Sequence, residues 1–570
     1  MMNHPVYKQV LILNIARMGD VVQTMPLINR LHHEWPGVAI DLIVDRRVAP
    51  AASLLPGLRR VLSRDLSERT SKGSEDTSED LQSSAGLAAW LQALKARGYD
   101  RVINLTFTRR SGQLASLVVA PDTRGVISVN GISVLNNPWF AYCVDMHRSR
   151  RLNRFHIADL LALGGSGPGP WMPIRLSVPL WAESWADQFF ESLGHRHTVI
   201  AVQIGASHGR KTWRPENFGR TLAAISRQAD AAFVLIGTAG ETEPAAHALA
   251  AYHAAGGTQP LHNAIGRTDI PQLAALLRRS RFLLTNDTGP MHVAAGVGTP
   301  VINLSLGHVD FHETGPHGPG HWIIQPDIAC APCDIEQTCV HHVCKDQIIP
   351  EQVAALSLHA LGLRSFPQSW TGVRIYESDV DADGLVRYRQ RVGERDLSVD
   401  WYGAFWRRYW YEQFTDCVSN LECQEDAPDF VEQHQRFQRL APALNRIVEC
   451  AERLRDISRH ASSSSSTAML KAAQNELVAE RQRVLFFIKD SPVFGPLTTV
   501  LLRELYDLRV LDQAARVERQ VQTYRIWRKR MHQVGNRLGQ TPGAPVGAQP
   551  AGQFREDCTT EVGREQRANN

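Results

Sequence analysis

Short apolar runs alternate with amphipathic helical segments in two stretches of the chain. In the first stretch, an apolar run at 9–15 leads into a turn that contains glycine, and an amphipathic segment at 21–35 and a second apolar run at 38–44 follow. Strand-length apolar runs joined by helical segments predict a parallel sheet covered by helices. The same pattern returns in the second stretch, with apolar runs at 198–204, 232–236, 282–285 and 300–304.

The 570 residues of the chain exceed what one hydrophobic core normally organises. We predict an α/β fold with two doubly wound, Rossmann-like domains that face each other across a cleft. An α-helical extension follows, because apolar residues recur at helical spacing at 470–488 and 498–526. The predicted regions are an N-terminal domain at 1–180, a second domain at 181–365, the helical extension at 366–535 and a disordered tail at 536–570.

Charge and hydropathy argue against several classes of protein. Lysine and arginine number 62 against 58 aspartates and glutamates, a formal net charge of +4, and this balance does not favour a nucleic-acid partner. No apolar run reaches the roughly 20 residues of a membrane-spanning helix, and the N-terminal run lacks the features of a secretory signal. Nine cysteines do not make a secreted disulfide framework at this length. We therefore expect a cytoplasmic protein.

A polar turn after the apolar run at 282–285 is the strongest local motif. It reads Asn-Asp-Thr-Gly-Pro-Met-His over residues 286–292 and opens a predicted short helix. Asp287 and Thr288 are suited to cap free N–H groups there, and Gly289 admits the close approach of a ligand. A helix N-terminus with its positive dipole end suits a diphosphate. The alternative is an ordinary capped helix.

Two further turns after predicted strands carry candidate functional groups. The loop at 205–211 combines small residues with the Ser207 hydroxyl and the Lys211 ammonium, which suits a phosphate. The alternative for this loop is a solvated basic surface. Asp20 follows the first apolar run and is a candidate general base, and its alternative role is a helix N-cap. Because ligands bind at the carboxyl ends of strands in doubly wound folds, we expect these turns to face the cleft.

Together these motifs resemble the heptosyltransferases of glycosyltransferase family 9. Five segments carry the resemblance, in the order and approximate spacing of the family, within residues 8–360. The resemblance implies a GT-B fold and an inverting glycosyltransferase that acts in lipopolysaccharide core assembly. It does not cover the helical extension. The five segments are LILNIARMGDVVQTMPLINRL, YDRVINLTFTRRSGQLA, GASHGRKTWRPENFGRTL, IGTAGETEPA and NDTGPMHVAAGVGTPVINL.

The resemblance also implies roles for individual residues. Asp20 matches the proposed catalytic base of the acceptor-side domain. Lys211 matches the lysine that contacts the donor diphosphate, and Glu241 matches a carboxylate near the nucleotide ribose. Ser207 is carried over although Ala206 stands where close relatives often carry another hydroxyl residue. The implied donor-binding residues are Ser207, Lys211, Glu241, Asp287, Thr288, Gly289 and His292.

The implied reaction transfers heptose, or a related sugar, from a nucleotide-diphosphate sugar to a lipopolysaccharide-core or other surface-glycan acceptor. ADP-heptose is the donor implied by the resemblance alone. Asp20 would take the proton of the acceptor hydroxyl, while Lys211 and the helix that begins near Thr288 would neutralise the departing diphosphate. This arrangement makes a catalytic metal unnecessary, and we expect no cofactor. The alternatives are a non-catalytic nucleotide-sugar-binding scaffold that uses the helical extension for interactions, and a sugar-nucleotide epimerase.

Four cysteines lie close together in the sequence, at Cys330, Cys333, Cys339 and Cys344. Their thiolates would suffice for a tetrahedral zinc site, but the last two do not form a close pair of the usual metal-binding spacing. Some relatives that act on autotransporters bind iron through such cysteines. The preferred interpretation is a set of reduced, partly buried thiols, with the metal cluster as the alternative.

The helical extension contains an aromatic cluster at 401–411 and a basic stretch at 524–530. Trp401, Phe405 and Tyr409 recur at helical spacing, which favours a packed core over a carbohydrate-binding or membrane-contacting surface. The basic stretch is typical of a solvated helix face, with a weak attraction to anionic lipid as the alternative. That alternative would allow a peripheral contact with the cytoplasmic face of the inner membrane.

Overall fold

The structure of this protein is a computed structural model. It describes residues 9–66, 79–194, 198–334, 339–421, 430–460, 464–488 and 491–538. The chain forms two compact units. Unit 1 is drawn from Met1–Val144 and Asn153–Arg395, and unit 2 from Asp145–Leu152 and Asp396–Asn570.

The first sheet of unit 1 has six strands in the order β3-β2-β1-β4-β5-β6. Neighbouring strands are parallel except β5 and β6, which pair in antiparallel fashion. The apolar runs predicted as strands at 9–15 and 38–44 form two of its central strands, which are buried on both faces. The strands are β1 Gln9–Asn14, β2 Ala39–Asp45, β3 Arg60–Arg64, β4 Arg101–Asn104, β5 Asp122–Val129 and β6 Ile132–Leu135.

The second sheet of unit 1 has eight strands in the order β14-β13-β12-β11-β10-β7-β8-β9. Strands β7 to β12 are parallel, and β13 and β14 extend the sheet as an antiparallel hairpin. All four predicted apolar runs of this stretch form strands. The strands are β7 Thr198–Gln203, β8 Ala231–Ile236, β9 Leu261–Asn263, β10 Phe282–Asn286, β11 Val301–Leu304, β12 Trp322–Pro326, β13 Val373–Val380 and β14 Val386–Val392.

Both sheets reverse their strand order at one place, which lies between β1 and β4 in the first and between β7 and β10 in the second. Such a reversal splays the connecting loops apart and leaves a crevice outside the carboxyl ends of the two strands, where doubly wound proteins bind ligands. Asp20 follows β1, Lys211 follows β7 and Asp287 follows β10. The three charged candidates therefore occupy the reversal points of the two sheets.

Helices cover the sheets of unit 1 and close its core. An apolar cluster runs without interruption from the first sheet, at Ile12 and Val44, to the second, at Val234 and Leu283. The helices of this unit are α1 Met18–Val22, α2 Met25–Glu34, α3 Ala49–Ala52, α4 Glu79–Lys95, α5 Arg109–Val118, α6 Pro138–Asp145, α7 Ile157–Gly165, α8 Leu180–Ser192, α9 Pro215–Ser226, α10 Thr242–Ala254, α11 Ile270–Arg279, α12 Gly289–Gly296, α13 Phe311–Thr314, α14 Cys344–Gln347 and α15 Pro350–Ala360.

Two predictions for unit 1 need correction. The single helix predicted at 21–35 is two helices, because Pro26 lies in the first turn of α2 and cannot continue a helix from the preceding residues. The helical extension predicted from residue 366 begins later, since 373–392 forms the β13–β14 hairpin. Val373 and Ile375 flank Arg374 and are followed by Tyr376, and this mixture of β-branched and aromatic residues is a strand signal that the sequence-based prediction overlooked.

Unit 2 is helical within the described residues. The predicted helix at 498–526 is two helices, because Asp512 starts a new one by accepting a hydrogen bond from the Ala515 N–H at 2.9 Å. The predicted tail at 536–570 lies outside the described residues except for 536–538, which end α20. The helices are α16 Leu397–Thr415, α17 Val431–Arg459, α18 Ser464–Ile488, α19 Gly495–Asp507 and α20 Gln513–Leu538.

The aromatic cluster of α16 is a packed core, as predicted, although Trp401 and Phe405, two of the residues that indicated it, are only half-buried. Trp406 and Trp410 are fully buried, with their rings stacked at a centroid distance of 5.7 Å. The Trp406 indole N–H donates to the Pro492 carbonyl at 2.8 Å. On α20, Tyr524 and Trp527 are buried, so the basic stretch presents only its outer face to solvent. In the described part of the chain, no helix combines the length and apolarity needed to cross a bilayer.

Candidate functional site

A largely buried ion pair joins two of the predicted donor-binding residues. The Lys211 Nζ atom lies 3.1 Å from the Asp287 Oδ1 atom, and the two side chains are only 12% and 8% exposed. The Thr314 hydroxyl donates to the other carboxylate oxygen at 3.4 Å. Burial raises the pKa of Asp287, and Lys211 opposes that rise. A lysine ammonium has three N–H donors, so Lys211 keeps donors for a further anion beside the one given to Asp287.

The loop that carries Lys211 is fixed to strand β10 by a buried amide. The Asn286 side chain donates to the Ile204 carbonyl at 2.9 Å and accepts from the Trp213 backbone N–H at 3.0 Å. Trp213 is fully buried. Because the loop is attached on both sides of Lys211, the ammonium projects from a rigid support.

Asp20 lies on the short helix α1, where it is half-buried. The alternative role as a helix N-cap is wrong, because Arg17 is the N-cap of α1 and Asp20 is its third residue; the Asp20 Oδ2 atom accepts a hydrogen bond from the Arg17 backbone N–H at 3.0 Å. Within the described residues, Oδ1 makes no hydrogen bond. Burial raises the pKa of Asp20, and the hydrogen bond from the Arg17 N–H lowers it. The negative charge of Asp287 raises this pKa, whereas the positive charge of Lys211 lowers it. These effects place Asp20 within electrostatic range of the Lys211–Asp287 pair.

Helices α1 and α12 contact each other through their first turns. A methyl group at Gly19 would lie 2.6 Å from the His292 ring, so only glycine permits this approach. The Gln23 amide donates to His292 Nδ1 at 2.9 Å. The candidate base on α1 and the candidate donor motif on α12 therefore belong to one site.

His292 is buried and neutral. Burial lowers its pKa to about 3, and Lys211 adds to the effect. The ring therefore carries no positive charge near neutral pH. The Gln23 amide nitrogen lies 2.9 Å from Nδ1 and 3.3 Å from Nε2 of this ring, and the shorter contact fits the tautomer with its proton on Nε2.

The predicted capping role of Asp287 and Thr288 is wrong. Thr288 occupies the N-cap position of α12 but makes no capping hydrogen bond. Its hydroxyl lies 3.4 Å from the Asn286 carbonyl instead, while Asp287 faces Lys211. Gly289 begins the helix against Met18 of α1. The group that lies close to Gly289 in this structure is therefore the Met18 side chain, whereas the sequence predicted a ligand there.

Glu241 and Ser207 lie on the loops after β8 and β7. The Glu241 carboxylate accepts from the Gln203 amide at 2.8 Å and from the Thr238 backbone N–H at 2.6 Å. It therefore braces two loops at the carboxyl edge of the second sheet. Ser207 is exposed on the loop before Lys211. The ribose and phosphate contacts implied for these two residues stay predictions.

The four cysteines at 330–344 are free thiols in the described part of the chain. Among the described residues, no group of three or more histidine, cysteine, aspartate or glutamate side chains is arranged to hold a metal ion. Cys330, Cys333 and Cys339 are half-buried free thiols, and Cys344 is buried at the start of α14. Burial, followed by the neighbouring thiols, raises the pKa of Cys333 to about 11. The interpretation as reduced thiols and its alternative, a metal cluster, both stay predictions.

Sequence reasoning missed three residues of the site. Gln23 contacts His292 across 269 positions of sequence, Thr314 contacts Asp287, and Asn286 holds the loop with Lys211. Asn286 was in the recognised motif without a role. The other two pairings join distant segments, so no local spacing could have indicated them.

Comparison with known proteins finds sequence relatives of this chain among sugar transferases. The sequence model described as glycosyltransferase family 9 (heptosyltransferase) matches residues 87–343. Lipopolysaccharide heptosyltransferase 3 of Escherichia coli K12 is 25% identical over 292 residues, which cover 50% of this chain and 79% of that protein. Lipopolysaccharide heptosyltransferase 1 of Pseudomonas aeruginosa is 24% identical over 349 residues, or 58% of this chain and 88% of that protein. The resemblance seen in the sequence is confirmed.

A solved structure of E. coli ADP-heptose lipopolysaccharide heptosyltransferase II is 19% identical to this chain, with a TM-score of 0.48, and covers 62% of this chain and 99% of its own. The family match at 87–343 includes Lys211, Glu241 and Asp287 but begins after Asp20. The place of Asp20 in the site therefore rests on the sheet reversal at β1 and on the close approach of its neighbour Gly19 to His292 of α12.

Proposed function

Because the chain carries a glycosyltransferase family 9 domain and is a glycosyltransferase, we propose that it transfers heptose, with inversion, from ADP-heptose to an acceptor in lipopolysaccharide biosynthesis. The observation that carries the proposal is the convergence of Asp20, Lys211 and Asp287 at the reversal points of two parallel sheets. The names of the relatives support the sugar and the pathway. We propose a GT-B arrangement in which the donor lies between the two halves of unit 1.

Asp20 is proposed to act as the general base. An acceptor hydroxyl is a weak nucleophile, and removal of its proton as it attacks the anomeric carbon increases the rate. A positioned base typically contributes about 10²–10⁴-fold. The raised pKa of Asp20 makes its carboxylate a stronger base than an exposed aspartate. Attack from the side opposite the diphosphate gives inversion.

Lys211 is proposed to stabilise the departing diphosphate. The leaving group gains negative charge in the transition state, and a fixed ammonium in a partly dry site stabilises that charge more than water does. The neutral His292 would donate a hydrogen bond from Nε2. Asp287 would hold Lys211 in place and accept from a sugar hydroxyl. These residues supply the charge compensation that this mechanism requires from the protein.

Two measurements on the intact protein test the proposal. A thermal-shift panel of nucleoside diphosphates and nucleotide sugars identifies the donor, because at equal concentrations a ligand that binds the native state more tightly stabilises it more. We expect ADP and ADP-heptose to raise the unfolding temperature more than the uridine compounds. Incubation of the selected donor with extracted lipid-linked core glycans should then yield a glycosylated product. Binding without transfer to any extracted glycan would contradict the proposal.

A further inference from the structure

The segment that follows the four cysteines is attached to the loop that carries Lys211. The Lys345 Nζ atom donates a hydrogen bond to the Gly209 carbonyl at 2.7 Å. Gly209 is the first residue of the 3-10 turn Gly209–Lys211. A cationic donor on a carbonyl makes a stronger hydrogen bond than a neutral one. Lys345 therefore holds the beginning of the turn whose last residue is Lys211.

The same segment also holds the residues just after Lys211. The Trp213 indole N–H donates to the Lys345 and Ile348 carbonyls, each at 3.1 Å. The Arg214 guanidinium pairs with the Asp346 carboxylate through both of its oxygens. Helix α14 and its flanking residues therefore contact the donor loop on both sides of Lys211.

We infer that Lys345 is a positioning residue for diphosphate binding, which acts through the turn that presents Lys211. Its ammonium donates to the Gly209 carbonyl, so its described contact is with the loop that presents Lys211. A turn already fixed in its binding conformation loses less entropy when the ligand binds. The inference deepens the proposed function and rests on it, since it requires a diphosphate subsite at Lys211.

Titration calorimetry with inorganic pyrophosphate and with ADP tests the inference on the full chain. We expect K345M to weaken pyrophosphate binding about tenfold, the typical effect of one hydrogen bond to a charged group. K345R, which keeps a cationic donor, should recover part of the affinity. K471M removes an exposed lysine of α18 and should bind as the wild type does. Unfolding temperatures of all variants show whether a variant is folded, and K345Q replaces K345M if it is not.

A double-variant cycle separates positioning from direct contact. If Lys345 acts through Lys211, adding K345M to K211M should change pyrophosphate affinity less than twofold, because coupled residues are non-additive. A full tenfold loss in the K211M background would overturn the inference, and so would wild-type affinity in K345M. If the wild type bound neither pyrophosphate nor ADP, the proposed function would fall first, and the inference with it.

Discussion

The two units of this protein use charge in different ways. Unit 1 buries ionisable groups at its centre, as in the Lys211–Asp287 pair and in the His317–Asp159 pair, whose side chains are 1% and 5% exposed. Unit 2 places most of its ion pairs on helix surfaces, such as Arg453–Glu476, with side chains 65% and 47% exposed. Buried charges lose solvation and are costly unless paired, whereas surface pairs contribute little.

This difference indicates where function and stability reside. Lys211 and Asp287 follow strands of unit 1, and burial together with the opposing Lys211 charge changes the pKa of Asp287, as expected of a reactive site. The interior of unit 2 is chiefly aromatic and aliphatic, built around Trp406 and Trp410. Its one strongly buried ion pair joins Arg503 to Asp145 at 2.9 Å among the described residues. We therefore expect unit 1 to carry the chemistry and unit 2 to respond to substitution mainly through packing.

The largest expected effect is that of Asp20→Asn. The amide keeps an oxygen for the Arg17 N–H but cannot take a proton, so sugar transfer should fall about 10²–10⁴-fold. Binding of the donor, measured by calorimetry, should stay within about twofold of the wild type. Asp416→Asn is the matched control, because Asp416 is exposed on unit 2 in a left-handed conformation that asparagine tolerates. If Asp20→Asn transferred sugar as fast as the wild type, Asp20 would not be the general base.

Trp406→Ala tests the packing role of unit 2. Removal of a fully buried indole should lower the free energy of unfolding by about 3–5 kcal/mol, as measured by urea denaturation followed by circular dichroism. Phe487→Ala is the control, since its ring is 71% exposed and its loss should cost about 0.5 kcal/mol or less. A drop in pyrophosphate affinity of the folded Trp406→Ala protein would show that unit 2 also affects donor binding. This result would contradict the assignment of the chemistry to unit 1 alone.

Lys211→Met should weaken pyrophosphate binding by about 10–100-fold, the range expected for lost charge-assisted hydrogen bonds. It also leaves Asp287 buried without its cation, so the pKa of that carboxyl should rise further and the protein should unfold at a lower temperature. Lys211→Arg, which restores a positive charge, should recover much of the stability. Unchanged affinity in Lys211→Met would place the diphosphate elsewhere.

The two units should also differ in how their stability responds to pH. Burial lowers the pKa of His156 and His292 to about 3, so these side chains stay neutral when folded but bind protons when unfolded. Their contribution to the stability of unit 1 is present above about pH 6.5, the unfolded value, and decreases as the pH falls. Each contributes a slope of at most about 1.4 kcal/mol per pH unit.

In unit 2, burial raises the pKa of Asp145 to about 7. The resulting dependence of stability on pH has the opposite sign to that of the two histidines. The folded state binds this proton more tightly, so the contribution of Asp145 is full below about pH 3.8 and is lost as the pH rises toward 7. Hydrogen exchange of the full chain at pH 7 and pH 5 should show peptides of α12 losing protection relative to peptides of α19. Equal loss of protection in the peptides of α12 and α19 would contradict the opposite pH dependences assigned to the two units.

Much of unit 1 followed from local pattern. The runs at 9–15 and 282–285 are strands because they are apolar throughout, which suits strands buried on both faces. Asp20, Lys211 and Asp287 were found because each follows such a strand. The sequence-based prediction missed the break between α1 and α2, which Pro26 indicates. It also missed the β13–β14 hairpin, which the apolar residues near Ile375 indicate. In both places the neighbouring residues favoured a helix.

The sequence alone determined the kinds of groups at the site and the strands after which they stand, because hydrophobic periodicity and turn residues act over a few positions. Only the tertiary structure decided that Gln23 reaches His292, that Asp287 faces Lys211 rather than capping its own helix, and that Lys345 supports the donor loop. Those pairings join segments far apart in the chain, and they follow from how two sheets and their helices pack rather than from any spacing along it.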